Sequence, residues 1–550
     1  MIIDARTLPN KEEIKADVCI VGAGTAGITL AREFIDKQFT VSILETGGLK
    51  PDPETQSLAW GENVGHPYFS LDTAYARCLG GTTNRWMIHV GNNLFGARMR
   101  PFDAIDFEER DWVPHSGWPF DKKYLDPFYD RAQAICNIGP PTFDVRDWED
   151  KDTAPKLPLC GSNVETVIFK FGLRDPFLND YVPQVKGAAN VTTYLYSNVM
   201  DIETDETARN VTRLHAACLN GTTFSVSAKL FILATGAIET PRLLLASKGR
   251  QSTGLGNGHD LVGRFFMEHP HYELGVFIPA TPEVFKMTGL YDHISRRKGV
   301  HVLGKLALSE ETLRREKLLN YVAELVPRVV RYASLGTQIY PAIPSESIRA
   351  FKALRSSIRR GSVAEGLSKN LVDIAKGIDD VAVTAYRNIR RKALKSFSRK
   401  KVKIFRLGNM SEQAPNPMSR ITLSPDKDSL GQYRACLDWQ LSPIDLQSAV
   451  RSQEILGREL SQAGLGRLYI ELNDETPPQR IGGGWHQMGT TRMHRDPTKG
   501  VVDENCKVHG ISNLYISGPS VFPTSGYANP VLTIVALAVR LADHVKNILS

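Results

Sequence analysis

Ala16-Asp17-Val18-Cys19-Ile20-Val21-Gly22-Ala23-Gly24-Thr25-Ala26-Gly27 sets the fold class of this chain. Residues 16–21 form an apolar run of the kind that a buried parallel strand needs. From Ile28 to Asp36 the apolar residues Ile28, Leu30, Ala31, Phe34 and Ile35 recur at helical spacing. Thr40-Val41-Ser42-Ile43-Leu44-Glu45 reads as a second strand. Strand, glycine turn, helix and strand make a β-α-β unit. In a Gly22-x-Gly24-x-x-Gly27 turn the first glycine allows the bend, the second lets backbone approach a pyrophosphate, and the third lets helix pack on strand. The helix N-terminus favours the phosphate charge. Glu45 ends the second strand, where a carboxylate accepts hydrogen bonds from a ribose diol. The unit predicts a dinucleotide site and leaves FAD and NAD both open.

Outward from this unit, Leu230-Phe231-Ile232-Leu233-Ala234-Thr235-Gly236 is another buried strand that ends in glycine. Asn513-Leu514-Tyr515-Ile516-Ser517-Gly518 is a further short strand, and a helix is expected from about Pro530 to Ile548. One sheet is thus expected to be assembled from distant stretches of a 550-residue chain. The expected division is 1–100, 191–270 and 481–550 against 101–190 and 271–480, a length suited to two domains.

Composition narrows the function classes. No run of apolar residues is long enough for a transmembrane helix. The N-terminus Met1-Ile2-Ile3-Asp4-Ala5-Arg6 shows no secretory pattern. The seven cysteines are scattered without a close pair, which predicts no zinc site and fits a reducing cytoplasm. The net charge is +7, but Arg349 to Lys403 holds sixteen Lys/Arg against four Asp/Glu, an excess of +12. The basic character is local and does not argue for a nucleic-acid-binding protein. Leu367, Leu371, Ile374, Ile378, Val381, Ala385 and Ile389 predict an amphipathic helix inside a basic segment spanning 345–404. Its expected role is a solvated helix face, with a membrane-surface contact, an oligomer interface or an anionic partner as the alternatives.

Two more segments turn the cofactor towards FAD. Leu79-Gly80-Gly81-Thr82-Thr83-Asn84-Arg85-Trp86 is a glycine-rich turn that permits close approach of backbone to a ligand. Ala234-Thr235-Gly236-Ala237-Ile238-Glu239-Thr240-Pro241-Arg242 reads as strand, turn and helix, with Pro241 expected at the first helical position. With these blocks the chain resembles the glucose-methanol-choline (GMC) oxidoreductases, a family of FAD enzymes. Leu261-Val262-Gly263-Arg264-Phe265-Phe266-Met267-Glu268-His269-Pro270 and the C-terminal blocks extend the resemblance over the whole length. Gly117-Trp118-Pro119-Phe120 and Tyr124-Leu125-Asp126-Pro127-Phe128-Tyr129 resemble the branch containing pyranose 2-oxidase and bacterial sugar and glycoside oxidoreductases.

The resemblance implies an α/β fold with a Rossmann-like FAD-binding domain built from discontinuous segments. It pairs this with an α+β substrate-binding domain whose sheet is mainly antiparallel. It implies that FAD lies against Gly22, Gly24, Thr25, Ala26, Gly27, Glu45, Thr46, Arg77, Gly80, Gly81, Thr82, Asn84, Arg85, Trp86, Val199, Ala234, Thr235, Gly236, Gly518, Asn529, Pro530 and Thr533. Some members attach the flavin to a histidine where this chain has Arg85, so binding is expected to be non-covalent. A family D-x-S element is replaced by Gly518-Pro519-Ser520, which leaves that contact to backbone.

Oxidising an alcohol carbon requires the hydroxyl proton to leave with the hydride, and a neutral imidazole can take it near pH 7. His486-x-x-Gly489-Thr490-x-x-Met493 resembles the family block that carries the catalytic histidine, and it follows the glycine run Gly482-Gly483-Gly484. Asn529, in Thr524-Ser525-Gly526-Tyr527-Ala528-Asn529-Pro530, falls at the second active-site position, as an amide that orients but is no base. His269 and His271 are expected to be structural. The implied reaction is oxidation of a secondary hydroxyl of a sugar or glycoside, passing electrons to oxygen or to a quinone or other carrier. A sterol, polyol or primary alcohol substrate, or a flavin-containing lyase, is the alternative, and a homo-oligomer is left open.

Overall fold

The apolar run before the glycines becomes the strand Glu12–Val21, whose last four residues, Val18 to Val21, are buried. The structure is a computed structural model, and it describes residues 1–91, 94–272, 275–331, 401–472 and 481–550. The basic segment and its amphipathic helix lie almost wholly outside the described residues; only the strand at its end enters the fold.

Glu12–Val21 pairs in parallel with Val41–Glu45 on one side and with Thr223–Leu233 on the other. Val41–Glu45 continues in parallel to Val191–Leu195, and that strand to Ile2–Asp4 at the edge. Thr223–Leu233 forks on its far side. Its first residues pair antiparallel with Val211–Ala217, while Phe231–Leu233 pair in parallel with Leu514–Ile516. Asn198–Thr204 completes this sheet, which has eight strands among the described residues. The parallel strands deliver Val21, Glu45 and Ala234, the residues at or just past their C-terminal ends, to one cavity.

Gly22 holds the turn after the first of these strands at φ +101°, and a Cβ there would lie 2.7 Å from the Ala234 carbonyl oxygen. The helix Thr25–Glu33 follows, and a Cβ on Gly27 would come 2.0 Å from the Gly22 carbonyl oxygen. Only hydrogen at Gly27 lets the helix lie on its strand. The C-terminal helix Val531–Leu549 packs against Thr25–Glu33 and against Lys122–Ile135. Arg131 pairs with both Asp543 and Glu33 across these helices.

A second sheet has nine strands among the described residues, and every pair in it is antiparallel. Its long members are Val164–Leu173, Val300–Leu308, Tyr321–Arg331 and Lys401–Ser411. Helix Pro443–Gln462 packs on this sheet, with Leu446, Ala449, Ile455, Leu456 and Leu460 in its core. Ile88–Gly91 and Leu94–Met99 also belong to this sheet, although they fall within the stretch 1–100 grouped with the parallel one. No helix among the described residues is long and apolar enough to cross a membrane.

One expectation is corrected. Pro241 does not open its helix. The helix begins at Gly236, and Pro241 lies inside it. A proline there has no N–H for the Ala237 carbonyl, four residues earlier. The Thr490 hydroxyl donates to that carbonyl instead, at 2.7 Å. Thr490 is fully buried, so the helix tolerates its proline through a residue of the His486 block. Thr490→Val keeps the volume and strands the carbonyl. Urea unfolding should show a loss of about 1–3 kcal/mol, whereas the exposed Thr498→Val should fall within about 0.5 kcal/mol of the parent.

Candidate active site

Three helices begin at the same cavity. Thr25–Glu33, Gly236–Ala246 and Val531–Leu549 start after Gly24, Thr235 and Pro530, and no side chain caps any of the three. All three cap residues line a cavity of about 520 Å³. Uncapped N-termini present free N–H groups and positive dipole ends, an arrangement that attracts anionic groups.

Of the residues expected to hold the cofactor, most line this cavity. They are Gly22, Gly24, Thr25, Ala26, Glu45, Thr46, Arg77, Gly81, Thr82, Arg85, Trp86, Val199, Ala234, Thr235, Gly236, Gly518, Asn529 and Pro530. Four do not. Gly27 is spent on helix packing. Gly80 takes the left-handed conformation (φ +93°) in the turn before Gly81–Arg85. Asn84 braces that turn by donating to the Leu79 and Gly81 carbonyls, each at 3.0 Å. Thr533 is buried against the Tyr129 hydroxyl at 2.8 Å, and Val531 and Ile534 reach the cavity in its place.

The chemistry of the lining fits FAD. Glu45 is buried and accepts from the Ala23 and Gly47 N–H groups at 2.8 and 2.9 Å. Burial pushes its carboxyl up from the usual value, while these bonds and Arg77 oppose the shift. Arg77 pairs with Glu239 at 2.6 Å, yet its buried Nε has no partner. Asn198 Oδ1 and Asn529 Oδ1 are buried at the same cavity without partners. Orphaned polar atoms beside three helix N-termini suit a ligand with phosphates and hydrogen-bonding rings. Arg85 donates to the Thr73 and Asp72 carbonyls at 2.8 and 3.3 Å, which ties its guanidinium to backbone.

His486 lines the same cavity, on a segment laid antiparallel against residues 267–271. Met267 pairs with Met488 and His271 with Gly482. Counting inward from the Met267–Met488 bridge sets His269 opposite His486, and the ring Nδ1 atoms are 2.9 Å apart. The His486 side carries two more residues between the bridges than its partner, so Gly483–Trp485 bulge outward. A Cβ on Gly484 would come 2.4 Å from the His486 ring. Trp485 takes a left-handed backbone (φ +58°), is 37% exposed and rests on Phe69. Glu268, fully buried, anchors the bulge. It accepts from the N–H groups of His269, Gly484 and His486 at 2.8 to 3.2 Å and from the Tyr68 hydroxyl at 2.7 Å.

Asn529 meets the other face of the imidazole, with its Nδ2 2.9 Å from His486 Nε2. The two residues expected to carry the chemistry are therefore in contact. His269 joins them, although its sequence reading was structural only, and His271 reaches the cavity wall with its Nε2 unpartnered. The signal for His269 was its place in the Glu268-His269-Pro270 block, but nothing local says which strand lies opposite. Burial holds His486 well below the usual histidine value, and His269, His271 and Arg98 act in the same direction. Burial also takes His269 down to about 4 and His271 to about 3. All three imidazoles are neutral at pH 7. Among the described residues no cluster of His, Cys, Asp or Glu could hold a metal.

With that geometry in place, residues 415–538 match the family model described as GMC oxidoreductase. A 2-methyl-1,2-propanediol dehydrogenase of Mycolicibacterium austroafricanum is 23% identical over 97% of this chain and 95% of its own length. The fructose dehydrogenase large subunit of Gluconobacter japonicus is 23% identical over 98% and 99%. A paromamine 6'-oxidase of Streptomyces fradiae is 24% identical over 96% and 91%. Among solved structures, a formate oxidase of Aspergillus oryzae superposes with a TM-score of 0.54 at 14% identity, covering 98% of this chain and 99% of the other. That likeness shows a shared mixed α/β fold.

The buried histidines have a consequence for stability. Unfolded, each titrates near 6.5, whereas His269 and His271 fold with values of about 4 and 3. Below pH 6.5 the unfolded chain takes up protons that the folded chain refuses, so stability falls as the pH drops towards 4. Urea midpoints measured from pH 7.5 to 4.5 should decline below about 6.5. His271→Gln should flatten part of that decline, and an unchanged slope in this variant would count against the neutral burial of His271.

Proposed function

We propose that the chain is an FAD-dependent, GMC-type oxidoreductase acting on CH–OH groups, and that it oxidises a secondary hydroxyl of a sugar or glycoside, with His486 as the base and Asn529 as the orienting amide. The observation that carries this reading is the 2.9 Å contact between Asn529 Nδ2 and His486 Nε2 at the wall of the cavity. An alcohol oxygen that displaces the amide from Nε2 can accept from Asn529 Nδ2 and give its proton to the imidazole. Burial keeps that imidazole unprotonated at neutral pH, as a base requires.

FAD, when bound, supplies the two-electron acceptor. Glu45 is set to receive the ribose hydroxyls, and the helix N-termini at Thr25 and Gly236 to face the diphosphate. The N-terminus of Val531–Leu549 lies beside Asn529, near the reacting end. Binding is non-covalent in this reading, because Arg85 is held by two carbonyls and is no nucleophile. The parallel sheet is taken as a Rossmann-like FAD domain (1–100, 191–270 and 481–550), and the antiparallel sheet as the substrate domain (101–190 and 271–480). The strands from Ile88 to Met99 carry the second sheet across that division to the cavity, at Gly96, Ala97 and Arg98. The unpaired cysteines support a reducing compartment, the cytoplasm.

The relatives named for fructose and paromamine favour a sugar. The relative named for 2-methyl-1,2-propanediol keeps a small polyol as the second reading. Anaerobic bleaching of the flavin by a panel of sugars, glycosides and diols decides between them. Readmitting air then separates an oxidase, which recolours within its turnover time, from an enzyme that needs a quinone or another carrier. His486→Ala should retain the flavin and slow bleaching by about 10²- to 10⁴-fold. A variant that bleaches at the parent rate would remove His486 as the base.

A further inference from the structure

We propose that His269 is a positioning residue that fixes the proton of His486 on Nδ1 and thereby leaves Nε2 as the basic atom facing the substrate. The inference rests on the proposed role of His486 and extends it to a fully buried residue that does not line the cavity.

The argument begins at a carbonyl. His269 Nε2 lies 3.1 Å from the Ser525 carbonyl oxygen, and a carbonyl can only accept. His269 therefore carries its hydrogen on Nε2. A neutral imidazole has one N–H, so His269 Nδ1 is a bare lone pair. That lone pair lies 2.9 Å from His486 Nδ1, which must then be the donor. His486 is neutral as well, so its Nε2 has no hydrogen. Asn529 turns its Nδ2 towards that atom at 2.9 Å and leaves Oδ1 unpartnered in the cavity wall. The flipped amide would set two acceptors face to face. Each link forces the next, and the direction of every bond follows from Ser525.

The chain closes on one loop. Ser525 and Asn529 sit four positions apart, at its two ends, and the loop is held from outside. Gln413 N–H donates to the Ser525 hydroxyl at 3.1 Å, and a Cβ on Gly526 would come 2.6 Å from Asp106 Oδ2. Glu268 and His271, from the 267–271 segment, and Arg98, from the neighbouring sheet, are the other charged or titratable groups that act on His486. Glu268 Oε1 is 3.9 Å from His486 Nδ1, too far to compete with His269 for that hydrogen.

In the proposed step the alcohol takes the place of the Asn529 N–H at His486 Nε2, its O–H bond breaks and its proton goes to that nitrogen. The C–H bond breaks with its electron pair and passes as hydride to FAD, leaving a carbonyl product. The imidazolium formed carries a hydrogen on each nitrogen, and its Nδ1–H stays bonded to His269. The wrong tautomer would present Nε2–H to the alcohol and could not accept its proton.

Three substitutions test this against a merely structural role. His269→Leu fills the space with no acceptor. His269→Asn brings Oδ1 close to the place of the lost Nδ1. His269→Gln reaches instead towards the Ser525 carbonyl. Rapid mixing under anaerobic conditions, at saturating alcohol, should show His269→Leu reduced about 10²-fold more slowly with the substrate Kd nearly unchanged. His269→Asn should recover to within about tenfold of the parent, and His269→Gln should not. Leu at the parent rate, or Gln and Asn equally fast, would overturn the proposal. Should His269→Leu not fold, the Asn/Gln comparison carries the test by itself. His486→Ala run alongside separates the two readings. If it is slow while the His269 variants are fast, only the positioning role fails. If it is fast, the assignment of the base fails first.

Discussion

Three helix N-termini without caps, meeting at one cavity, are the constraint from which the rest of the architecture follows. An uncapped terminus leaves several N–H groups without partners, and burying three such ends together is costly unless something anionic satisfies them. The ends arrive there because parallel strands all point their C-termini one way, and each helix must start where its strand stops. Two begin within four residues of sheet strands, after Val21 and Leu233. The third is delivered by the chain's last segment, after Leu514–Ile516 has joined the same sheet. The cavity is thus a product of sheet direction, and its anion preference is built before any side chain is considered.

The His486 segment solves a different problem. An imidazole that must stay neutral, buried and correctly aimed cannot be held by its own side chain, because two torsions leave it free to turn. Here the backbone around it is bonded to a buried carboxylate, and each ring nitrogen meets a polar partner. The glycines before it make the bulge possible, since a methyl group at Gly484 would occupy the ring's place. Glu268 is fully buried and raised by that burial, yet it receives three backbone N–H groups and a tyrosine hydroxyl. Such a carboxylate contributes order more than attraction, because its desolvation offsets much of what its bonds return.

How much of this the sequence shows depends on whether the governing contact is local. The strands at 12–21, 41–45 and 514–516, and the helices after Gly24 and Pro530, are legible because apolar period and glycine placement are properties of neighbours in the chain. Pro241 was misplaced for the opposite reason. Its helix survives through the hydroxyl of Thr490, some 250 residues away, and local propensity holds no trace of that bond. His269 belongs to the same class. Its sequence block was visible, but its partner is set by an antiparallel register between segments 217 positions apart. Thr533, expected at the cofactor, bonds the Tyr129 hydroxyl and does not line the cavity, because a helix that packs on two neighbours has only one stripe left for it. Val531 and Ile534, three apart on that stripe, line the cavity.

Trp485 shows how such a site is held against its own strain. A bulky residue at φ +58° costs on the order of 1–3 kcal/mol and persists only where its surroundings over-determine it. Both neighbours are pinned to the same carboxylate, Gly484 and His486 through their N–H groups. The chain therefore crosses from one bond to the other in a single residue, and it does so through the left-handed turn at Trp485. The indole is left partly exposed against Phe69, at the wall of the cavity and next in sequence to His486. Glycine would remove the strain at no steric cost, so the presence of a tryptophan points to its ring rather than its backbone. The indole and the His486 imidazole line the same cavity, so the tryptophan adds an aromatic wall to the space that the imidazole faces.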